Sequence, residues 1–371
     1  MVKAFAIGDR QFDASHCLVI AEIGTGHGGE LSRCSELIAA AAESGADCAK
    51  FQCVFADEIL HPATGTVPLP GGEVALYERF RQLERGEDFY ARAKEETESR
   101  GMIFLCTPFG RRSAGILRRI GVQVMKVASP ELNHLPLLDE LATYALPTIL
   151  STGVSLLSDI ERALGRFSSP AALLHCVTSY PAPEEDYNLR VLGGLSELFG
   201  VPVGVSDHSL DPVLVPVLAQ ASGAAIVEKH ICLSRADPGL DDPVALPPAL
   251  FSEMVKALRA VQGRLPSETI AELARDRGSA RVEDCLGDGV KRLAPSEAAN
   301  YRRSNRSIHA LHRIAPGELL DESSLALLRT EKLLRPGLPP DLLGAVIGRR
   351  ARREIPPGEG LEWEDVGDLD Q

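Results

Sequence analysis

Two histidines close short apolar runs in this chain, in Val205-Ser-Asp-His208 and in Glu228-Lys-His230. Imidazole nitrogens from neighbouring strands, completed by oxygen ligands, suit a divalent ion such as Mn²⁺ or Zn²⁺. A closed structural zinc site is not expected, since no third His or Cys is obviously placed. The alternative is a pair of hydrogen-bonded core histidines, although each stands close to a carboxylate. A second group is cationic and hydroxylic: Lys50, Thr107, Lys126, Ser129, Ser151 and Ser206. Lysines are costly to bury unpaired, so a bound anion such as phosphate is one natural partner, and Glu22 or Glu131 is another.

These residues stand at the ends of recurring apolar segments, which fall at 17–22, 48–52, 102–107, 123–129, 147–152, 171–177, 201–207 and 225–231. Helix-like runs lie between and after them, at 31–44, 75–100, 111–120, 135–144, 155–167, 189–198, 211–221 and 248–261. Strands alternating with helices predict a parallel sheet, and eight repeats within about 265 residues predict a (β/α)8 TIM barrel, with a doubly wound sheet as the alternative. Barrel enzymes keep their chemistry at strand C-termini, and Glu22, Lys50, Gln52, Thr107, Ser129, Glu131, Ser151, Thr152, His175, Ser206, Asp207, His208, Glu228 and His230 fall nearly all at or just past them. Charges within helical runs, such as Arg33 and Glu36, read as solvated surface.

The barrel is assigned to residues 1–265, and a charged, less periodic connector to 266–300. Residues 301–371 form a small, mostly β module with Pro-Gly turns at Ala315-Pro-Gly317, Arg335-Pro-Gly337 and Pro356-Pro-Gly358. Among the 371 residues, 39 Lys and Arg face 52 Asp and Glu, a formal charge of −13. That balance disfavours nucleic acid and anionic membranes as partners, because clustered cations drive both kinds of binding. The eight cysteines form no CxxC pair and sit mostly in apolar runs. They read as reduced core thiols, which places the protein in the cytoplasm. No apolar run approaches the roughly 18 residues of a membrane span, and the N-terminus lacks a signal-peptide core.

Several motifs together are distinctive: Ala21-Glu-Ile-Gly24, Lys50-Phe-Gln52, Cys106-Thr-Pro-Phe109, Lys126-Val-Ala-Ser-Pro-Glu131, Leu150-Ser-Thr-Gly153, Leu174-His-Cys-Val-Thr-Ser-Tyr-Pro181, Gly204-Val-Ser-Asp-His-Ser-Leu210 and Glu228-Lys-His230. With them the chain resembles, over nearly its whole length, the sialic acid synthase family, which includes legionaminic and pseudaminic acid synthases. The C-terminal module resembles the antifreeze-like (SAF) domain of those enzymes, including the Arg335-Pro-Gly turn.

The resemblance implies condensation of phosphoenolpyruvate with an open-chain N-acetylated amino sugar, giving a nonulosonic acid and phosphate. It implies that His208 and His230 hold a divalent metal, Mn²⁺ first and Mg²⁺ or Co²⁺ as alternatives, which polarises the sugar aldehyde. Glu131, helped by Glu22 or Glu228, would orient or deprotonate the water that adds at C2. Lys50, Thr107, Lys126, Ser129, Ser151 and Ser206 would cradle phosphoenolpyruvate. Gln52, Tyr180 and Asp241 would contact the acceptor. Arg335 would reach it from a second subunit, which implies a domain-exchanged homodimer. Other readings are a different phosphoenolpyruvate-dependent sugar acid synthase, or a non-catalytic carbohydrate-binding descendant of the family.

The departures from the family pattern fall in acceptor loops. Gly26 stands where an Asn is usual, Gly71 and Gly72 stand about where some members have a sugar-binding Asn, and Asp242 and Ala245 replace a common His and Ser. They predict unchanged donor chemistry with an altered acceptor, against drift within one specificity.

Overall fold

The computed structural model describes residues 3–69, 72–169 and 171–369. Eight parallel strands, β1 (Leu18–Gly24), β2 (Cys48–Cys53), β3 (Ile103–Pro108), β4 (Met125–Val127), β5 (Thr148–Ser151), β6 (Ala171–Cys176), β7 (Val203–Asp207) and β8 (Ile226–His230), pair in the order β3-β2-β1-β8-β7-β6-β5-β4. β3 and β4 lie against each other, so the sheet curls into a nearly closed barrel with helices outside.

Strand alternation explains how the sequence builds both core and site. Leu18 and Ile20 of β1, Cys48 of β2, Ile103 and Leu105 of β3, Ile149 of β5 and Leu174 of β6 share one buried cluster inside the barrel. Val19, Ala49, Phe104, Leu173 and Val205 face the helices in another. Side chains two residues apart share a face. The inward series therefore continues to Glu22, Lys50, Thr107, Ser151, Cys176, Ser206 and Glu228 at the strand C-termini. The opposite end is stopped by a hairpin of Phe5–Ile7 with Arg10–Phe12, whose Phe5, Ile7 and Phe12 join the interior cluster.

Two glycines are required by geometry. Gly200, at φ 73°, ends the helix Val191–Phe199 in the left-handed conformation that a side chain disfavours. Gly204 points into the barrel, where a Cβ would lie 2.2 Å from the Ile226 carbonyl oxygen of β8. Gly204→Ala is therefore expected to destabilise the protein by about 1–3 kcal/mol through overpacking, read as a lower thermal midpoint.

The expected 75–100 helix is two, Leu76–Leu83 and Glu87–Ser99, with extended backbone at Gly86 between them. The 266–300 stretch contains the helices Pro266–Arg277 and Ser279–Leu286, whose Leu273, Val282, Cys285 and Leu286 pack into the outer core. They thus complete the barrel's helical layer. Their high charge hides that apolar stripe.

The C-terminal module pairs β9 (Arg306–Ala310) antiparallel to β10 (Leu325–Arg329), and β11 (Arg349–Ala351) antiparallel to β12 (Val366–Leu369), around its own apolar cluster. It seats over the barrel mouth of the same chain. The Arg306 backbone N–H donates to Asn133 Oδ1 at 3.0 Å, Asn133 Nδ2 donates to the Arg306 carbonyl at 2.8 Å, and the Arg329 N–H donates to the Ile59 carbonyl at 2.9 Å. Below the module, Glu297 Oε2 accepts from the backbone of Val154 and Thr178 at 2.9 and 2.8 Å, tying the connector to the loops after β5 and β6.

Candidate active site

A cavity of ≈ 380 Å³ opens at the C-terminal end of the barrel, walled by the strand ends and roofed by the C-terminal module. Its floor is ionic. Lys50 Nζ stands 3.0 Å from Glu22 Oε2 and 3.3 Å from Glu228 Oε1. Lys126 Nζ donates to Ser151 Oγ at 2.5 Å and to the Val127 carbonyl at 3.1 Å, with Glu228 Oε2 4.0 Å away. Ser206 Oγ donates to Glu228 Oε1 at 3.0 Å, and Gln52 Nε2 donates to Glu22 Oε1 at 2.8 Å. Ser129 Oγ accepts from the Gly153 N–H at 3.0 Å, which leaves its proton to donate.

Environment divides the two lysines. Burial pulls both down, but Glu22 and Glu228 outweigh it at Lys50 and raise its ammonium pKa. At Lys126 burial prevails, helped by the charge of Lys50, and the ammonium falls to about 8. Burial pushes the Glu228 carboxyl up, yet Lys126 and Lys50 outweigh that and hold it at about 2. The floor thus holds an ionised Glu228 with Oε2 lacking a hydrogen-bond partner, and a lysine with no carboxylate within hydrogen-bond distance. A small anion is the natural complement of Lys126.

At the mouth, the His208 and His230 rings lie 5.7 Å apart, and Tyr180 stacks on His208 at 4.1 Å. His208 Nδ1 faces the Val177 carbonyl at 2.9 Å, so that nitrogen carries the proton and Nε2 keeps its lone pair. Burial, reinforced by His230, pulls His208 down to about 3, so it is neutral at physiological pH. His230 Nδ1 is 3.8 Å from Asp241 Oδ2.

Residues 37–269 match the NeuB family model. The chain belongs to the NeuB family. Residues 305–367 match the SAF domain. This NeuB-family chain is 33% identical to the spore coat polysaccharide biosynthesis protein SpsE of Bacillus subtilis over 94% of this chain and 93% of that one. It is 30% identical to the N,N'-diacetyllegionaminic acid synthase of Legionella pneumophila over 94% of each chain. The crystal structure of the Bacillus protein superposes with a TM-score of 0.81 at 32% identity, covering 99% of this chain and 100% of that one.

The NeuB barrel brings Glu22, Lys50, Gln52, Lys126, Ser129, Ser151, Tyr180, Ser206, His208, Glu228, His230 and Asp241 to one cavity. Thr107 shares the inward parity, but it lies beneath the lining with a buried Oγ1 that has no partner. Glu131 is not in the wall. Its carboxylate is buried and takes Arg306 Nε at 2.5 Å on one oxygen and Arg329 Nη2 at 2.6 Å on the other. Burial would raise that carboxyl, but Arg306 and Arg329 hold it well below the usual carboxylate range. A carboxylate bound this way cannot serve as a base beside the substrate in this arrangement; it anchors the roof.

Arg335 is likewise outside the cavity. It is held within its own module by Asp365 at 2.8 Å, Glu362 at 3.1 Å and the Gly360 carbonyl. The roof residues that do line the cavity are Asn300, Ser304, Arg329, Glu331 and Lys332, with Lys332 Nζ donating to Asn300 Oδ1 at 2.6 Å. A charge inside the apolar run Leu325-Ala-Leu-Leu-Arg329 is the signal that could have found Arg329, since a buried arginine demands a partner.

Of the described departures, Gly26, Gly72, Asp242 and Ala245 do not reach the wall, whereas Leu240 of the altered 237–245 loop does. Arg33, far from being free surface, ties Gly26 and Asp237 together through the Gly26 carbonyl at 2.8 Å and Asp237 Oδ2 at 2.7 Å. Asp242 accepts from the Gly239 N–H at 2.8 Å, and Ala245 is buried. Gly72 is not among the lining residues, and Gly71 lies outside the described residues.

Proposed function

We propose that this chain condenses phosphoenolpyruvate with an open-chain N-acetylated amino sugar, forming a nonulosonic acid of the sialic, legionaminic or pseudaminic type and releasing phosphate. The observation that carries this reading is the Lys126–Ser151 and Lys50–Glu228–Ser206 floor lying beneath two histidines in one cavity. Lys126, Ser129, Ser151 and Ser206 hold the donor's phosphate and carboxylate. C3 of the enol attacks the acceptor carbonyl, water adds at C2, and loss of phosphate leaves the 2-keto acid. Glu228, ionised and with one open oxygen, orients the incoming water; a carboxyl this acidic is a poor proton store. Tyr180, Gln52 and Asp241 face the acceptor, as do Asn300 and Glu331 from the roof.

The donor set fits a divalent cation: two adjacent imidazoles, one with its free nitrogen fixed by a backbone carbonyl. Among the described residues no third His, Cys, Asp or Glu completes the set, which leaves positions for oxygen ligands from water or substrate. His208 and His230 would hold Mn²⁺, and the ion, when bound, supplies Lewis acidity toward the acceptor carbonyl. The seat between module and barrel can equally form between two chains, because an exchanged module meets the same Glu131 and Asn133, and we propose that the working unit is such a homodimer. We place the reaction in the cytoplasm, where the eight buried thiols stay reduced.

The test is phosphate release from phosphoenolpyruvate across a panel of hexosamines with Mn²⁺ present. Release that requires an N-acetylated amino sugar is expected, and release with none of the panel overturns the reading. Since Gly26, Gly72, Asp242 and Ala245 do not line the cavity, N-acetylmannosamine is expected among the substrates. His230→Ala should lower turnover by at least about tenfold, a loss seen even for the supporting partners of metal ligands.

A further inference from the structure

Asp207 and Lys229 immediately precede His208 and His230, and they stand directly opposite each other in the β7–β8 register. Strand alternation places both outside the barrel wall, away from the cavity, where each is 1% exposed. They form a direct ion pair. Lys229 Nζ also donates to the Ser209 carbonyl at 2.7 Å and reaches Ser209 Oγ at 3.3 Å. The Ser209 N–H donates to Asp207 Oδ1 at 2.8 Å. One ammonium on β8 therefore holds the residue before His208 and the residue after it. The next residue along β8 is His230 itself.

The backbone of His208 is fixed from the other side as well. Its N–H donates to Tyr187 Oη at 2.6 Å, and the Tyr187 carbonyl faces His175 Nε2 at 2.6 Å. His175 thus faces outward and supports this scaffold. Burying two full charges is unfavourable when apolar side chains of similar volume can fill the same space. The same strands use that apolar solution two residues earlier, where Val205 lies opposite Val227, both buried on the same face. Stability alone does not call for charges at 207 and 229.

We infer that the Asp207–Lys229 pair is a positioning device that brackets His208 and sets it against His230, so that the two imidazoles converge at the cavity mouth. The pair touches neither the cavity nor a substrate and acts through the histidines. The inference rests on the proposed function only in that the histidines serve a bound ion.

The test is Asp207→Asn combined with Lys229→Met, which removes both charges while keeping an oxygen for the Ser209 N–H. The metal-free double variant is expected to melt at or above the wild-type midpoint. Its Mn²⁺ dissociation constant, read from the spin-resonance signal of free Mn²⁺, should rise by about 10- to 100-fold. kcat should fall with it while KM for phosphoenolpyruvate is little changed. Lys229→Met alone leaves Asp207 buried without a partner and should lower the midpoint. A double variant that keeps both Mn²⁺ affinity and kcat overturns the inference. One that melts as low as Lys229→Met also overturns it, because the pair would then be a stability element. If the wild-type protein binds no Mn²⁺, the metal assignment alone fails. The inference is then judged on kcat, which falls at least about tenfold in the double variant if the pair positions the histidines and stays unchanged if it does not.

Discussion

Lys126→Met is expected to lower kcat/KM for phosphoenolpyruvate by about 10²–10³-fold, the loss typical of removing one preorganised donor from a transferring group. It is also expected to raise the melting midpoint of the ligand-free protein. Both effects have one cause. Two donors of the ammonium are committed to Ser151 Oγ and the Val127 carbonyl, and burial together with the charge of Lys50 lowers its pKa to about 8. A lysine whose pKa is lowered on folding favours the neutral amine. Its charge therefore costs stability below about pH 8, and the cost is relieved between there and the unfolded value near 10.4. Methionine removes that cost at neutral pH, while Glu228 keeps Lys50 at 3.3 Å.

The same lysine gives the pH dependence a sign. The ammonium binds the donor anion, so kcat/KM falls as pH rises through about 8. Bound phosphoenolpyruvate stabilises the charge, so the corresponding limb in kcat lies higher. Lys50→Met is the contrast, because it leaves Glu22 buried without its cation and Glu228 with only the more distant Lys126, and it should destabilise the protein. A Lys126→Met protein that stays active, or that keeps its alkaline limb near pH 8, contradicts the assignment.

The parts of the site that can be read from sequence are those governed by strand parity. Once β1, β2, β7 and β8 are placed, Glu22, Lys50, Ser206 and Glu228 must face inward with Ile20, Cys48, Gly204 and Ile226, because alternation leaves no other face. That rule ends where the strand ends. β4 stops at Val127, and Ser129–Glu131 forms a short 3-10 turn that carries Glu131 out of the inward series and toward the C-terminal module. Polar residues at strand ends therefore part ways: Lys126 lines the cavity, whereas Glu131 sits against Arg306 and Arg329.

The roof is harder to read because its partner lies across the chain. The Arg335-Pro-Gly turn is conspicuous locally, whereas Arg306 and Arg329 sit in ordinary strands. Only the fold shows that the carboxylate they need lies more than 170 residues upstream, with Arg306 and Glu131 separated by 175. The N-terminal hairpin is missed for a related reason, since three-residue strands carry too short an alternation to register.

Glu131→Gln separates the two roles that this residue could play. If its work is to anchor the roof, the change leaves Arg306, buried completely, and Arg329, nearly so, without a counter-charge. Removing one partner of a buried ion pair costs about 3–5 kcal/mol, which shifts the docking equilibrium by roughly 10²- to 4 × 10³-fold. The module should then come away from the barrel, exposing residues 287–304 to protease and withdrawing Arg329, Glu331 and Lys332 from the cavity. The barrel's own unfolding should be little changed, because none of its three apolar clusters includes the module, which has its own. The carboxyl is held below the usual range, so its contribution is present above the unfolded value near 4.3 and is lost only as pH falls through the depressed one. Mild acid at pH 5 should leave the module seated. Arg329→Met supplies the decisive comparison. An anchoring Glu131 predicts that Arg329→Met also loosens the module and weakens activity. A Glu131 that acts as a base predicts full docking in Glu131→Gln with activity lost, and an Arg329→Met protein whose freed carboxylate still works. Protease sensitivity and phosphate release measured on the same two variants distinguish these outcomes.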